Sequence, residues 1–230
     1  MPMSGPGSFK GVTSSMVRAL IRRKVFLMTG VGFFLALLFP DEGTLALQWR
    51  LVRWVDDGDT VVLSDGTRVR YIGINAPEIA HEDRPGERFG SEATAFNRNL
   101  VYQKPVRLEL DRERQDQYGR LLAYVFLKDG TFVNGEMVKR GYAYYLFRPP
   151  NTKYDQLLLQ RQRDAMAKRV GLWKGFPDKR GDYMGNGRSK RFHQPNCPFG
   201  KMISPKNRVV FRTRYDAFWA GYGPCKRCNP

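Results

Sequence analysis

Cysteine is scarce in this 230-residue chain and confined to one end, as Cys197, Cys225 and Cys228. An odd number excludes a closed disulfide framework, and the spacing points to metal instead. No internal repeat is visible. Long hydrophobic runs are also scarce. The most extended, Val25–Phe39, would span about 22 Å as a helix, short of a ~30 Å hydrocarbon core. It follows Arg18, Arg22, Arg23 and Lys24 and precedes Pro40 and a Thr-Leu-Ala stretch. That pattern fits a secretory signal peptide cut after Ala46, with an uncleaved anchor through residues 25–39 as the competing reading. Either way residues 1–46 form a leader. The expected location is secreted, periplasmic or anchored to the outer face of the cytoplasmic membrane. No protein partner is evident.

Acidic residues are few as well: 22 Asp and Glu against 39 Lys and Arg, a formal charge of +17. A field this positive favours polyanions, whether nucleic acid, anionic lipid or an acidic polymer. The hydrophobic fraction of 42% excludes a disordered chain.

Residues 47–177 read as the main domain. Five segments are strand-like: residues 47–55, 60–64, 68–74, 105–110 and 121–127. Helical spacing marks Gly90–Gln103, Val133–Arg140 and Asn151–Val170, with Gly171 at a helix end. The fold class is therefore mainly β with α: a five-stranded OB-fold barrel carrying three helices. Residues 178–192 are Gly- and charge-rich and read as a linker. Residues 193–230 form a small second domain. Twelve Lys and Arg against two Asp fall between Lys179 and Arg227, so much of the excess charge lies outside the main domain.

Asp65-Gly66 reads as a two-residue hairpin turn. That register sets Val61 opposite Arg70 and Asp59 opposite Ile72, and brings Asp59 and Arg70 together on the core-facing side. Burying either alone is costly. A barrel mouth open to water or ligand would tolerate them, as would a structural ion pair at a sheet end.

The segments "VDDGDTVVL", "RYIGINAPE", "GSEATAF", "DQYGRLLAYV", "VNGEMVKRGYA" and "GLW" occur in this order. Together they closely resemble the thermonuclease (staphylococcal nuclease-like) family over about residues 48–173. The resemblance implies a five-stranded barrel and calcium-dependent cleavage of DNA and RNA phosphodiesters. By motif, Arg70 and Arg120 match the family's phosphate-gripping arginines. Glu78 matches the carboxylate that positions or activates water. Asp59 matches a calcium ligand with Asp57 as outer support, and Asn75 and the Ala76 carbonyl take the remaining protein ligand positions. Arginine suits charge gathering on phosphate oxygens, a carboxylate can deprotonate water, and calcium wants oxygen ligands. One position departs: the family pattern often has Asp where Asn75 stands. Asn keeps a carbonyl oxygen but removes a charge, which implies weaker calcium binding.

The loop His81–Gly90 is polar and Gly/Pro-bearing, near the expected site. Tyr145, Phe147 and Arg148, beside Tyr144, are candidates to stack on bases and contact backbone, with core packing as the alternative for the rings.

In the second domain His193-x3-Cys197 precedes Cys225-x2-Cys228. Four such ligands in two close pairs suit a closed, structural zinc site, which a unit of this size needs. The segment resembles the Ada-type zinc-binding domain, with His193 in place of the first of four cysteines. That replacement argues against methyl-accepting thiol chemistry and leaves zinc-stabilised DNA contact.

Three functions follow. The first is a calcium-dependent nuclease acting on DNA and/or RNA, with Arg70, Glu78 and Arg120 as catalytic residues. The second is a catalytically weak or inactive nucleic-acid-binding protein using the same barrel and zinc module. The third is a surface protein binding acidic lipid or polymer.

Overall fold

The computed structural model describes residues 48–80, 82 and 85–230. The leader expected over 1–46 lies outside the described residues. No described helix is long and apolar enough to cross a membrane.

In chain order the first part runs β1 (Trp49–Val55), β2 (Thr60–Leu63), β3 (Arg68–Tyr71), β4 (Ile74–Asn75), α1 (Gly90–Val101), β5 (Pro105–Glu109), β6 (Leu121–Leu127), α2 (Val133–Lys139), β7 (Tyr144–Tyr145) and α3 (Asp155–Ala167). Five strands close the expected barrel in the order β1-β2-β3-β6-β5, and β4 pairs with β7 beside it. Only the β3–β6 pair of the barrel is parallel. Alternation fills the interior: Val61, Leu63, Val69 and Tyr71 are buried while their strand neighbours Val62, Arg68 and Arg70 are not.

The expected hairpin register is corrected by one residue. Thr60 faces Arg70 and Val61 faces Val69, so the loop is Ser64–Gly66. The Leu63 amide donates to the Thr67 carbonyl at 2.9 Å, and Gly66 takes a left-handed φ of 85°. A slip of one residue reverses every side chain. Arg70 therefore shares a face with Arg68 on the outside of the barrel wall, opposite Val69 and Tyr71. Ile72 and Ile74 are buried nonetheless, because the chain turns at Gly73 (φ 76°) and leaves the barrel.

Buried amides fix that departure. Asn134 Nδ2 donates to the Ile72 carbonyl at 2.9 Å while its Oδ1 accepts from the Val125 amide. All three helices are shorter than expected. For α3 the reason is Asn151, whose side chain bonds both the amide and the carbonyl of Glu113 at 2.8 Å. It anchors a loop and is not available to begin a helix.

The rest of the chain adds β8 (Arg180–Asn186), β9 (Arg191–His193), α4 (Pro198–Lys201), β10 (Arg208–Thr213), α5 (Arg214–Trp219) and β11 (Gly223–Pro224). They build a four-stranded sheet in the order β10-β8-β9-β11. The linker expected over 178–192 is thus corrected: its centre is an inner strand of this sheet. Gly185 looks like a breaker but serves packing. A Cβ there would meet the Phe211 ring at 2.6 Å and the Tyr222 ring at 3.0 Å.

The sheet does not stand apart from the barrel part. Ala165 and Met166 of α3 share one apolar cluster with Trp173, Phe192, Phe218 and Tyr222. Gln162 of α3 accepts from the Tyr145 amide at 2.7 Å and donates to the Phe218 carbonyl at 2.6 Å, fully buried.

Candidate active site

The β1–β2 connection brings the first carboxylates in. Gly58 lets it pass under α1, since a Cβ there would lie 2.5 Å from Ala76 Cβ and 2.9 Å from Ala93 Cβ. Asn97 of α1 donates to the Asp57 carbonyl at 2.9 Å and accepts from the Tyr71 hydroxyl at 3.0 Å, holding the loop from above. Asp57 accepts from the Asp59 amide at 2.8 Å.

Asp59 is buried. Its Oδ2 accepts from the Ala76 amide at 2.6 Å and its Oδ1 lies 2.9 Å from Arg70 Nε. Burial raises its pKa; Arg70 opposes this, Asp57 and Glu78 add to it, and the carboxyl is pushed up to about 7.

Arg70 is used on nearly every side. Beyond Asp59, its Nη1 donates to the carbonyls of Tyr71 (2.7 Å) and Ile74 (3.1 Å), and its Nη2 to Asn75 Oδ1 (3.1 Å). Four of its five N–H groups are thereby engaged. The guanidinium is pre-oriented, with one N–H and its charge left for a ligand.

Arg120 is held differently. Asp116 accepts from its Nε at 2.8 Å and lies 2.7 Å from its Nη2, while Asp116 Oδ1 takes the amides of Tyr118 and Arg120. Burial works against the Asp116 charge, but these hydrogen bonds prevail and its pKa is lowered. Nη1 of Arg120 has no partner among the described residues, so this arginine keeps a fork to offer.

Glu78 is half-buried. Its backbone is clamped, with the amide donating to Glu87 Oε2 at 3.2 Å and the carbonyl accepting from the Glu87 amide at 2.8 Å. Its carboxylate carries no hydrogen bond or ion pair among the described residues.

One cavity of about 310 Å³ collects Asp59, Arg70, Asn75, Glu78 and Arg120. The structure thus brings together five of the six expected nuclease-site residues by side chain, and the Ala76 backbone adjoins them. A larger cavity of about 560 Å³ opens on the far side of Glu78, against Trp173, Phe176 and Phe218, but neither arginine reaches it.

The donor set suits calcium. Asp59, Asn75 and the Ala76 carbonyl are all hard oxygen donors, and a buried carboxylate crowded by Asp57 and Glu78 is what a divalent cation relieves. Asn75 Nδ2 donates to the Ala76 carbonyl at 3.0 Å, locking the two together.

One base-stacking expectation is corrected. Tyr145 is 4% exposed inside the barrel core, and Phe147 packs against that core. Strand β7 turns the Tyr145 ring inward because it pairs with β4 over α3. Arg148 does line the cavity, with Glu113 at 3.6 Å. Sequence reasoning missed Tyr118, which is 74% exposed at the cavity rim beside Arg120. It also missed Asp116, and Arg191 and Lys226, which enter the same cavity from the C-terminal sheet. No local signal marks those last two; only the packing of the sheet on α3 delivers them.

The four expected zinc ligands also converge. One ligand atom from each of His193, Cys197, Cys225 and Cys228 lies within 4.8 Å of every other. Tetrahedral zinc with bonds near 2.3 Å would set sulfurs about 3.8 Å apart, so the set fits. His193 Nδ1 is 3.4 Å from Cys197 Sγ, the Gln194 amide donates to Cys228 Sγ at 3.3 Å, and all three cysteines are free thiols.

Comparison with known proteins bears on this geometry. Residues 68–175 match the family model described as "Staphylococcal nuclease homologue". The chain is 43% identical over 126 residues to a thermonuclease of Staphylococcus intermedius, covering 54% of this chain and 74% of that one. It is 34% identical over 163 residues to a thermonuclease of Staphylococcus hyicus, covering 69% and 93%. It is 37% identical over 134 residues to endonuclease YncB of Bacillus subtilis (strain 168), covering 54% and 62%. The family match ends at residue 175, before the Cys/His cluster.

Proposed function

The chain belongs to the staphylococcal nuclease homologue family, and from that premise we propose that it is a calcium-dependent endonuclease hydrolysing phosphodiester bonds of DNA and/or RNA. The observation that carries this reading is the meeting of Arg70, Glu78 and Arg120 in one cavity beside Asp59. A phosphodiester under attack gathers negative charge on its equatorial oxygens. Arg120 offers those oxygens its unpartnered Nη1, and Arg70 supplies a fixed positive charge and its last N–H. Glu78, its carboxylate free and its backbone pinned, orders a water and takes its proton. Asp59, Asn75 and the Ala76 carbonyl hold calcium, which when bound adds positive charge against the phosphate.

His193, Cys197, Cys225 and Cys228 hold structural zinc: four protein ligands leave no open position for chemistry. The Ada-like resemblance and the local surplus of Lys and Arg support contact with nucleic acid there. Export rests on the leader sequence alone.

One observation favours a second reading, that of a binding protein with little turnover: Asn75 supplies no charge and its Oδ1 already accepts from Arg70. Digestion of plasmid DNA and of RNA by the full chain, with calcium or with chelator and beside Glu78→Gln, separates the two. Calcium-dependent cleavage lost in Glu78→Gln supports the nuclease. Equal inertness of both, with DNA still bound, supports the binder.

A further inference from the structure

We propose that Lys226 and Arg191 form a phosphate subsite inside the cleavage cavity, so that the Cys/His unit grips the same nucleic-acid strand that the barrel cuts. This rests on the nuclease reading for its substrate.

The first ground is placement. Both side chains line the cavity that holds Arg70, Glu78 and Arg120. They come from β9 and from the Cys225–Cys228 turn, more than seventy residues beyond Arg120 in sequence.

The second ground is charge. Arg70 and Arg120 are each matched by a carboxylate, Asp59 and Asp116. Neither Arg191 nor Lys226 has an ion-pair partner among the described residues. Arg191 is half-buried and gives one bond, from Nη1 to the Pro224 carbonyl at 3.2 Å. Arg148, its only carboxylate contact 3.6 Å away, faces the same space. The cavity wall carries five cations, Arg70, Arg120, Arg148, Arg191 and Lys226, against four carboxylates, Asp57, Asp59, Glu78 and Asp116. Two of those acids are taken by Arg70 and Arg120, and the cation excess falls on the Arg148, Arg191 and Lys226 side, where it favours an anion. A cavity of about 310 Å³ is the size of a ligand site and exceeds one phosphate group.

The third ground is rigidity. Lys226 is exposed, but its backbone is fixed: the Cys225 amide donates to the Phe192 carbonyl at 2.8 Å and the Asn229 amide to the Cys225 carbonyl at 3.0 Å. The turn cannot drift from the barrel part. Gly223 would place a Cβ 3.0 Å from Leu146, and Gly221 3.1 Å from Leu159. A phosphate subsite beside the scissile position would therefore be pre-formed. It would hold the strand without touching the reacting bond, which acts on binding more than on turnover.

The test measures cleavage of a fluorescent single-stranded oligonucleotide by the full chain with calcium, and equilibrium binding of the same oligonucleotide to Glu78→Gln. Each is repeated with Lys226→Ala, Lys226→Arg and, as a control outside the cavity and outside the basic C-terminal segment, Lys168→Ala. Lys226→Ala is expected to raise KM and Kd by about 3- to 10-fold, with kcat within about twofold. It should also lower the slope of log Kd against log salt by about 0.7, one phosphate contact. Lys226→Arg should restore most of the loss. Unchanged KM, Kd and slope in Lys226→Ala overturn the proposal, as does an equal effect from Lys168→Ala. If the unsubstituted chain does not cleave at all, the nuclease reading fails on its own, and the binding arm still decides the subsite.

Discussion

Arg70 Nε lies 2.9 Å from Asp59 Oδ1, and both side chains are nearly closed off from solvent at 12% and 7% exposure. Buried pairs of this kind rarely stabilise a fold by much, because desolvation offsets the attraction. Here the pair sits at the wall of a polar cavity, and each member is also tied to the backbone between Tyr71 and Ala76. Its effect is to set where the β3–β4 turn presents Asn75, Ala76 and Glu78.

Glu78→Gln should lower the cleavage rate by about 100- to 10,000-fold, the usual range for loss of a general base. Oligonucleotide affinity should hold within about twofold, since the carboxylate makes no structural bond. Single-turnover kinetics beside a binding titration check both.

Asp116→Asn turns an Nδ2 donor toward the Arg120 guanidinium, where an acceptor is needed. The expected cost is about 1–3 kcal/mol of stability, with at least a tenfold fall in kcat/KM from a misplaced Arg120. The pH dependence has a definite sign. The pKa of Asp116 is lowered in the fold from an ordinary 3.8. Its contribution is therefore full above that value and disappears as pH falls below it, through the folded pKa. Urea unfolding should show the gap between the two proteins constant near neutrality and closing only in acid.

Asn75→Asp restores a charge to the oxygen cluster and keeps an acceptor for Arg70. The calcium concentration for half-maximal cleavage should fall about tenfold. A calcium titration of activity reads this directly; no change would mean that Asn75 does not face the ion.

Metal analysis of freshly reduced protein should find about one zinc per chain, and Cys228→Ser should lose it. Chelator followed by calcium alone should leave the melting temperature depressed until zinc is restored.

Gln162→Ala removes both partners of a clamp, leaving the Tyr145 amide and the Phe218 carbonyl buried and unpaired. A loss of about 2–4 kcal/mol is expected in chemical unfolding.

Local pattern carried a good deal of this. The barrel strands, the order of motifs and the two Cys/His pairs are short-range signals, and each survives in the structure. The hairpin shows where such reasoning fails. Asp65-Gly66 fits a two-residue turn, yet Thr67 donates its amide to Asp65 Oδ1 at 3.0 Å and a three-residue loop results. Asp59 and Arg70 still meet, for a different reason: Asp59 lies in the β1–β2 loop just before β2 begins, where face alternation does not apply. Residues 178–192 failed for another cause. Glycine reads as a breaker unless the rings that press on it are known, and Phe211 and Tyr222 lie far along the chain.

By itself the sequence determined which chemical groups are present and the local geometry that presents them, because strand alternation, metal-ligand spacing and an Arg-Glu motif act over a few residues. Only the tertiary structure decided which of them share a space. Tyr145 went to the core, Tyr118 to the cavity rim, and Lys226 came to the nuclease site from the far end of the chain. Pairing of β7 with β4 buries Tyr145, and packing of the C-terminal sheet on α3 brings Lys226 in through apolar contacts between segments that no local pattern relates.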